Sequence, residues 1–338
     1  MLTLLTLVVL GSKLTPITSL RLSGRPVGSA ANLEPLTSPL PETAPMTPSE
    51  PDSVKTRSIL TNLSRLAVYD TGIPNRAAAS SEVLVLWPSV LADHRIYDAQ
   101  VADLREHHRL ILIDGPGHGA SGPSSGRFSM EQCADALSQV LDTLQIVKPV
   151  VVIGTSWGGL VAGEFALKHP GRTRAVVMLN TPVFKTRARW RDSFVSWGAR
   201  WLKFTNRYVQ GVADAYFMPE TRKRESAFME GFRKHIRGVS GAALSRAVRS
   251  VLLEREDLAS RLNSIAAPTL FVAGTHDSMY PVDDLRHAAA QLTRGRFIEL
   301  PTAHLSVVDA PSETTQAIDS FLTELQLTSS FSSPGAKA

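Results

Sequence analysis

The chain has 338 residues, of which 43% are hydrophobic and 20% charged, which is typical of a globular protein. This length predicts one large domain, or one domain with an insertion. The single cysteine, Cys133, excludes an internal disulfide framework and argues against a cysteine-based metal site. The formal charge of +5 is only mildly basic, and we expect no nucleic-acid partner, metal or other cofactor.

Residues 1–56 are predicted to be a disordered or dispensable segment. The apolar run Leu2–Leu10 is shorter than the roughly 20 residues that span a bilayer, and it lacks the preceding Lys or Arg of a signal peptide. Leu36–Pro51 is rich in Pro, Ser, Thr and Glu, which is typical of disorder, and Met46 is the predicted natural start. We expect a cytoplasmic protein, with secretion or anchoring through the apolar run as the alternative.

From about residue 57, short apolar runs alternate with longer helical patterns. Strands are predicted at Leu66–Tyr69, Val83–Trp87, Leu110–Ile113, Val150–Gly154, Ala175–Leu179, Leu270–Ala273 and Phe297–Leu300. Helices are predicted at Met130–Leu144, Leu160–His169 and Glu313–Leu325. Several of the strands are apolar almost throughout, as strands covered on both faces are. The alternation predicts an α/β fold with a mostly parallel sheet and helices on both faces.

One segment, residues 185–255, interrupts this rhythm with amphipathic helical patterns and no convincing strand. It is predicted to be a helical insertion that divides the core into 57–184 and 256–327, and residues 328–338 are predicted to be a disordered tail. The insertion has 16 Lys and Arg residues against 6 Asp and Glu residues. A solvated basic helix face is the favoured interpretation, with steering of an anionic substrate or a membrane-surface helix as alternatives. We do not expect a membrane partner.

The sequence VVVIGTSWGGL at 150–160 places Ser156 in a G-x-S-x-G pattern between an apolar strand and a helix. A serine at such a turn adopts a strained backbone that holds its Oγ clear of the sheet. The chain passes so close there that Gly154 and Gly158 need to lack side chains. The positive end of the following helix faces the site where negative charge develops. Ser156 is therefore predicted to be a catalytic nucleophile.

A serine nucleophile needs a base and a carboxylate that orients this base. Asp277 and His304 follow the last two predicted strands, in the chain order serine, acid, histidine. They are predicted to complete the catalytic set, because functional side chains gather at the carboxyl edge of a parallel sheet. His276 is a competing base, and Asp309 is a competing acid.

Two backbone amides are predicted to bind the developing oxyanion. One is that of Trp157, directly after the serine, and the other comes from the loop after Val83–Trp87. Pro88 has no N–H in that loop, so Ser89 or Val90 supplies the second amide. The glycine-rich loop 114–122 matches no phosphate-binding pattern, and His118 within it is interpreted as structural.

Together these motifs resemble the α/β-hydrolase fold family over about residues 60–325. Residues 88–123 are similar to the corresponding stretch of 3-oxoadipate enol-lactonases and related esterases, which have Asn-Ser-Leu-Gly and Arg-x-Trp-Asp segments. Here Pro-Ser-Val-Leu occupies 88–91 and Arg-Ile-Tyr-Asp occupies 95–98. The resemblance implies a cap formed by the helical insertion and an oxyanion amide at Val90. The residue after the nucleophile is usually Met or Gln in such proteins, so Trp157 is expected to narrow the pocket or line it with an aromatic ring.

The sequence thus predicts a cofactor-free serine hydrolase that cleaves a small carboxylic ester or lactone, with an anionic substrate as one possibility. The alternatives are a hydrolase of the C–C bond in a β-diketone-like ring-cleavage product, a slow-turnover ligand receptor, and an inactive interaction module. An intact set of Ser156, Asp277 and His304 argues against the inactive module.

Overall fold

A computed structural model of the protein describes residues 54–74, 81–185 and 189–331. Contacts divide the chain into Met1–Asp52 and Ser53–Ala338. All of the described residues belong to the second of these units, which contains the whole of the fold presented below.

Several predictions concern residues outside the described ranges. They include the apolar run Leu2–Leu10, the start at Met46 and most of the segment 1–56. The structure describes this segment only from residue 54, and an edge strand begins at Lys55. At the other end, the final helix runs to Phe331, so it enters the predicted tail 328–338, whose last seven residues are not described. The predicted domain boundaries stay predictions.

The backbone is organised around one sheet. Its strands are β1 (Lys55–Leu60), β2 (Arg65–Asp70), β3 (Val83–Trp87), β4 (Arg109–Ile113), β5 (Val150–Thr155), β6 (Thr173–Leu179), β7 (Thr269–Gly274) and β8 (Gly295–Leu300). They lie in the order β1-β2-β4-β3-β5-β6-β7-β8. The β1–β2 and β2–β4 pairs are antiparallel, and the other five pairs are parallel. The predicted fold class is therefore confirmed.

All seven predicted strands are present, but the sequence analysis missed β1. This strand, KTRSIL, is an edge strand with five of its six residues exposed, so it shows no apolar run. The centre of the sheet is the opposite case, because every residue of β5 and β7 is buried. Successive side chains point to opposite faces of a strand, so both faces of the sheet are covered.

The helices of the core are α1 (Asp98–Leu104), α2 (Met130–Thr143) and α3 (Trp157–Lys168), then α9 (Val282–Ala289), α10 (Ser306–Asp309) and α11 (Pro311–Phe331). Helix α2 begins at a capping box, in which Ser129 and Gln132 each bind the other's backbone amide. Its apolar face packs against α3, and α1 packs against α11. Ten of the twelve residues of α3 are buried, as expected for a helix enclosed on all sides.

Among the described residues, five α-helices lie between β6 and β7, where the sequence predicts the cap. They are α4 (Arg189–Trp201), α5 (Asn206–Tyr216), α6 (Pro219–Arg224), α7 (Ser226–Gly238) and α8 (Gly241–Val248), followed by a π-helix (Arg249–Glu254). The described part of residues 185–255 contains no strand, as predicted. Within the described ranges, no helix combines the length and apolar character needed to cross a bilayer.

The order of the strands fixes where the site forms. In the sheet, β3 lies between β4 and β5. The chain passes from β3 to its neighbour on one side, β4, and only later enters its neighbour on the other side, β5. The loops that follow β3 and β5 therefore diverge, and a crevice opens between the carboxyl ends of these two strands. Ser156 and the predicted oxyanion loop lie at these two strand ends.

Candidate active site

Ser156 lies at a sharp turn between β5 and α3. Its backbone angles are φ 55° and ψ −108°, in a region that costs a non-glycine residue about 1–3 kcal/mol. The close approach of neighbouring chain imposes this turn, because a Cβ atom on Gly154 would lie 1.9 Å from the Gly158 carbonyl carbon. The Ser156 amide donates to the Leu179 carbonyl oxygen at 2.7 Å, which ties the turn to β6.

The structure brings Ser156, His304 and Asp277 together, although they are far apart in the chain. His304 Nε2 lies 2.8 Å from Ser156 Oγ, and His304 Nδ1 lies 2.6 Å from Asp277 Oδ2. A carboxylate can only accept, so Nδ1 carries the ring proton and Nε2 is free to accept the proton of the serine hydroxyl. This is the hydrogen-bond order that nucleophilic catalysis by a serine requires.

Asp277 is held in place by its other oxygen. Asp277 Oδ1 accepts hydrogen bonds from the amides of Met279 and Tyr280 at 2.9 and 3.2 Å. The carboxylate therefore has one oxygen committed to the backbone and the other to His304. Such a division fixes the orientation of both the carboxylate and the imidazole.

The two competing candidates take other roles. His276 is exposed and contacts the hydroxyl of Thr275, so it is not part of the site. Asp309 accepts from the amide of Ala303 at 2.8 Å and from that of Met218 at 3.0 Å. It thereby ties the loop that holds His304 to the cap. Burial raises the pKa of Asp309, although these hydrogen bonds oppose the effect.

Asn180 is a positioning residue that the sequence analysis missed. It is fully buried with a left-handed φ of 49°, and its side-chain amide donates to the Ala303 carbonyl oxygen at 3.1 Å. Its side-chain oxygen accepts from the amide of Ser306 at 3.4 Å. These bonds hold the loop on both sides of His304. A polar residue directly after the apolar strand β6 was the available signal.

The predicted oxyanion loop is held by contacts on both sides of Val90. The amide of Leu91, which has a φ of 65°, donates to His118 Nε2 at 2.9 Å. The hydroxyl of Tyr216 donates to the Val90 carbonyl oxygen at 2.8 Å. Neither contact uses the Val90 amide, and Trp157 opens α3, where an amide has no acceptor within the helix. The geometry suits the predicted roles of Val90, or its neighbour Ser89, and Trp157.

His118 is the structural support of this loop. Its ring is fully buried, with Nδ1 lying 3.1 Å from the Pro116 carbonyl oxygen while Nε2 accepts from Leu91. These two contacts fix the neutral tautomer with the proton on Nδ1. Burial lowers the pKa of His118 to about 4, which keeps the ring neutral at physiological pH.

The buried neutral state of His118 predicts a pH dependence of stability. The unfolded chain takes up a proton near the ordinary value of 6.5, whereas the folded chain does so only near 4. The stabilising contribution of the neutral His118 ring is therefore complete above about pH 6.5 and is lost as the pH falls towards 4. We expect the free energy of unfolding to fall by about 2 kcal/mol from this group between about pH 7 and about pH 5.

Urea unfolding at the two pH values tests this, with His118→Gln as the matched variant. Glutamine keeps an oxygen that can accept from the Leu91 amide, but it does not titrate. The variant should lose about 2 kcal/mol less than the wild type over the same pH interval. Equal losses in the two proteins would assign the pH dependence to other groups.

The Trp157 side chain fills the core behind the serine. It is fully buried, with its ring centroid 5.6 Å from that of Trp87 and 5.7 Å from that of Phe128. A Cβ atom on Gly115 would lie 2.4 Å from the Trp157 ring. The indole is therefore the reason that position 115 has no room for a side chain. The expectation that Trp157 narrows the pocket or lines it with an aromatic ring is therefore wrong, because the indole packs into the core beneath the turn.

The aromatic rings next to the triad come instead from the cap and from the loop after β7. Tyr216 of α5 and Tyr280 each have a ring centroid 5.4 Å from that of His304. Ser156 is only 2% exposed, so the cap separates the reacting atoms from bulk water. Exclusion of water strengthens every electrostatic interaction in such a site.

A second contact joins the cap to the core beside the oxyanion loop. Asp93 Oδ2 lies 2.6 Å from Arg95 Nη2 and 3.0 Å from Nδ1 of His235, a residue of α7. Burial alone would raise the pKa of Asp93, but the hydrogen bonds from His235 and Arg95 hold it well below its usual range. The described residues contain no group of three or more His, Cys, Asp or Glu side chains placed to hold a metal ion.

A hydrogen-bonded Ser-His-Asp set at the carboxyl edge of a parallel sheet is characteristic of one class of hydrolytic enzyme. Comparison with known proteins identifies this class. A model of the alpha/beta hydrolase fold matches residues 82–311, which is more than half of the chain, and the chain belongs to this family. The protein is an enzyme of this alpha/beta hydrolase family.

The relatives agree with the resemblance noted in the sequence. The chain is 24% identical to a 3-oxoadipate enol-lactonase of Acinetobacter baylyi, over 72% of this chain and 90% of the relative. It is 27% identical to a pimeloyl-[acyl-carrier protein] methyl ester esterase of Nitrosomonas europaea, over 66% of this chain and 89% of the relative. A thermophilic esterase structure from Thermogutta terrifontis superposes with a TM-score of 0.72 at 23% identity, over 80% of this chain and 99% of the other.

Proposed function

We propose that this protein is a serine hydrolase that cleaves a carboxylic ester or a lactone through an acyl-enzyme on Ser156. The observation that carries the proposal is the pair of hydrogen bonds joining Ser156 Oγ, His304 and Asp277 at 2.8 and 2.6 Å. Every group that the reaction needs comes from the chain itself. No cofactor is part of the mechanism.

In the first half-reaction, Ser156 Oγ attacks the carbonyl carbon while its proton passes to His304 Nε2. The imidazolium that forms is stabilised by the ionised Asp277 on its other side. The carbonyl oxygen becomes an oxyanion and is bound by the amides of Val90, or Ser89, and Trp157. Each such donor contributes about 3 kcal/mol to lowering the barrier. The positive end of α3 adds to this stabilisation.

The tetrahedral intermediate then collapses and His304 donates its proton to the leaving alkoxide, which ends the first half-reaction. In a lactone, this alkoxide stays attached to the acyl group, so the ring opens without loss of a fragment. In the second half-reaction, water attacks the acyl-enzyme with His304 as base, and His304 returns this proton to Ser156 Oγ as the acid product leaves. The acid product and an alcohol, or one hydroxy acid from a lactone, balance the reaction.

The choice of ester or lactone is supported by the relatives, which include an enol-lactonase and a methyl ester esterase. It is also supported by the enclosed site, where the tyrosines flanking His304 leave the triad behind a cap. Enclosure of this kind suits a small substrate that enters the site whole. The alternative of a C–C bond hydrolase uses the same triad and is distinguished by substrate.

Labelling with a fluorophosphonate probe tests the nucleophile. We expect the wild-type protein to become covalently labelled and Ser156→Ala to remain unlabelled. Ser64→Ala is a matched control, because it removes a buried serine hydroxyl between β1 and β2, outside the site. The nucleophile assignment is wrong if Ser156→Ala is still labelled. It is equally wrong if the wild type neither labels nor hydrolyses p-nitrophenyl acetate.

A substrate panel then tests the bond that is cleaved. Short-chain esters, lactones of different ring size and ring-cleavage dienones are compared by kcat/KM. The proposal predicts the highest value for an ester or a lactone. Preference for a dienone would instead establish C–C hydrolysis. Tight binding of a ligand with negligible turnover would establish a receptor.

A further inference from the structure

The outer face of the cap helix α4 is an exposed row of aromatic side chains. Trp190, Trp197, Trp201 and the nearby Phe204 are 61%, 51%, 61% and 67% exposed. At 100° per residue, positions 190, 197 and 201 lie within about 40° of one another around the helix. We call these four residues the aromatic face.

The opposite side of α4 is the one that packs on the rest of the cap. Its buried residues include Ser196 and Ala199, and Ser196 Oγ lies 3.0 Å from Ser245 Oγ of α8. Gly198 allows the ring of Tyr208 to approach, since a Cβ atom there would lie 2.4 Å from this ring. The packing of α4 is therefore complete without the aromatic face, which has no role in the core.

The aromatic face is a concentrated patch of apolar surface. Nine large hydrophobic side chains are exposed among the described residues, and four of them belong to this face. Single exposed hydrophobic residues are common, whereas a contiguous patch marks an interaction surface. Three of the five tryptophans of the chain lie here, and tryptophan is the residue most suited to the boundary between lipid and water.

Positive charge borders the aromatic face. The Arg200 guanidinium lies 4.9 Å from the centre of the Trp201 ring, and Lys203 Nζ lies 4.0 Å from that of Phe204. A surface groove of about 490 Å³ runs between these residues and Arg237. Its lining contains both aromatic rings and three cationic side chains, and no carboxylate.

A neighbouring groove extends the positive surface along α5 and α7. It has a volume of about 530 Å³ and shares Arg237 with the first groove. Arg207 and Arg233 also line it, with Glu230 as its single acidic residue. Lys203 itself is buried, with its ammonium donating to the Arg237 carbonyl oxygen, so we call the four arginines of the two grooves, Arg200, Arg207, Arg233 and Arg237, the basic rim. A cationic rim beside exposed tryptophans is complementary to an anionic, partly apolar partner.

We propose that the aromatic face and the basic rim together form a peripheral docking surface for anionic phospholipid membranes. The tryptophan and phenylalanine rings enter the interfacial region of the bilayer, and the basic rim contacts the lipid phosphates. This inference does not depend on the catalytic mechanism. It replaces the expectation that the basic insertion is only a solvated helix face.

Vesicle binding of the full-length protein tests the proposal. We expect it to sediment with vesicles of phosphatidylcholine mixed with phosphatidylglycerol, and to bind vesicles of phosphatidylcholine alone much more weakly. Binding should decrease as salt is added, because salt screens exposed charges. On binding, tryptophan emission should shift to shorter wavelength and become less accessible to acrylamide. Trp87 and Trp157 are fully buried, so this signal arises from the aromatic face.

Two pairs of variants separate the apolar and the charged contributions. Trp197→Ala with Trp201→Ala should lower the vesicle partition coefficient at least about tenfold. Its matched control is Ile73→Ala with Val147→Ala, two exposed apolar residues elsewhere on the molecule, which should leave the coefficient unchanged. The melting temperature of each variant establishes that it is folded.

The second pair tests the charge. Arg200→Gln with Arg237→Gln should lower the partition coefficient about fivefold for each charge removed. Its control is Lys55→Gln with Arg57→Gln on the exposed edge strand β1, which should have no such effect. The Ser156→Ala protein should bind vesicles as the wild type does, so failure of the catalytic proposal would leave this result unaffected.

Three outcomes would overturn the proposal. The first is the absence of binding to the mixed vesicles, and the second is equal loss of binding in the test and control variants. The third is a concentration-dependent dimer that disappears in the Trp197→Ala and Trp201→Ala variant, because this would assign the aromatic face to a second copy of the chain. Sedimentation velocity distinguishes this last case.

Discussion

Replacement of Asp277 by asparagine is expected to lower kcat about 10⁴-fold while leaving the fold intact. The reason lies in the two oxygens of this carboxylate. One accepts from the amides of Met279 and Tyr280, and the other faces His304 Nδ1. The single oxygen of asparagine is needed at the two backbone amides, so its NH2 group turns towards the imidazole. An amide donor facing Nδ1 forces the ring proton onto Nε2. His304 then presents a hydrogen towards Ser156 and can no longer accept the proton of the nucleophile.

The hydrolysis of p-nitrophenyl acetate by Asp277→Asn measures this loss, and thermal unfolding reports on the fold. Asp283→Asn is the matched control, because Asp283 is an exposed acid on α9, and we expect it to retain wild-type kcat. A decrease of less than about tenfold in Asp277→Asn would show that this carboxylate does not set the tautomer of His304.

The residues of the triad could be predicted because each belongs to a local pattern. Ser156 follows an apolar strand and precedes a helix, and Asp277 and His304 lie just after strands. In a parallel sheet the carboxyl ends of the strands lie at the same edge, so the local position of each residue was enough to predict that the three side chains lie together. Asn180 was missed, and Asp309 was weighed only as a competing acid, because their roles depend on contacts with loops distant in the sequence.

The insertion shows the same limit. Its sequence predicted amphipathic helices, but an amphipathic pattern does not indicate which element covers each face of a helix. Tyr216 and Phe232 are buried in the cap. Trp197 and Trp201 have the same spacing and face outward, because the small and polar side of α4 is the one that packs on α8. Which face of a helix is buried depends on the element that packs against it, and the local sequence pattern does not identify that element.

Replacement of Gly158 by alanine is expected to reduce the free energy of unfolding by more than about 4 kcal/mol. In an ordinary helix this change would be stabilising by about 0.5–1 kcal/mol, because alanine loses less backbone freedom on folding. Here the new Cβ atom would lie 1.8 Å from the Trp87 carbonyl oxygen. That oxygen also accepts from the Tyr97 hydroxyl at 2.7 Å, and β3 is paired with strands on both sides. The backbone there has no room to retreat, so α3 and the Ser156 turn must move away from it.

Chemical unfolding of Gly158→Ala measures this loss, and soluble yield reports a variant that does not fold at all. Gly171→Ala is the matched control, since nothing lies within 4 Å of a Cβ atom at Gly171, and it should change stability by less than about 1 kcal/mol. Any Gly158→Ala protein that does fold should also lose labelling by the fluorophosphonate, because the turn that presents Ser156 is displaced from the end of β3. Wild-type stability and labelling in Gly158→Ala would mean that the close approach of α3 to β3 is not what strains the nucleophile.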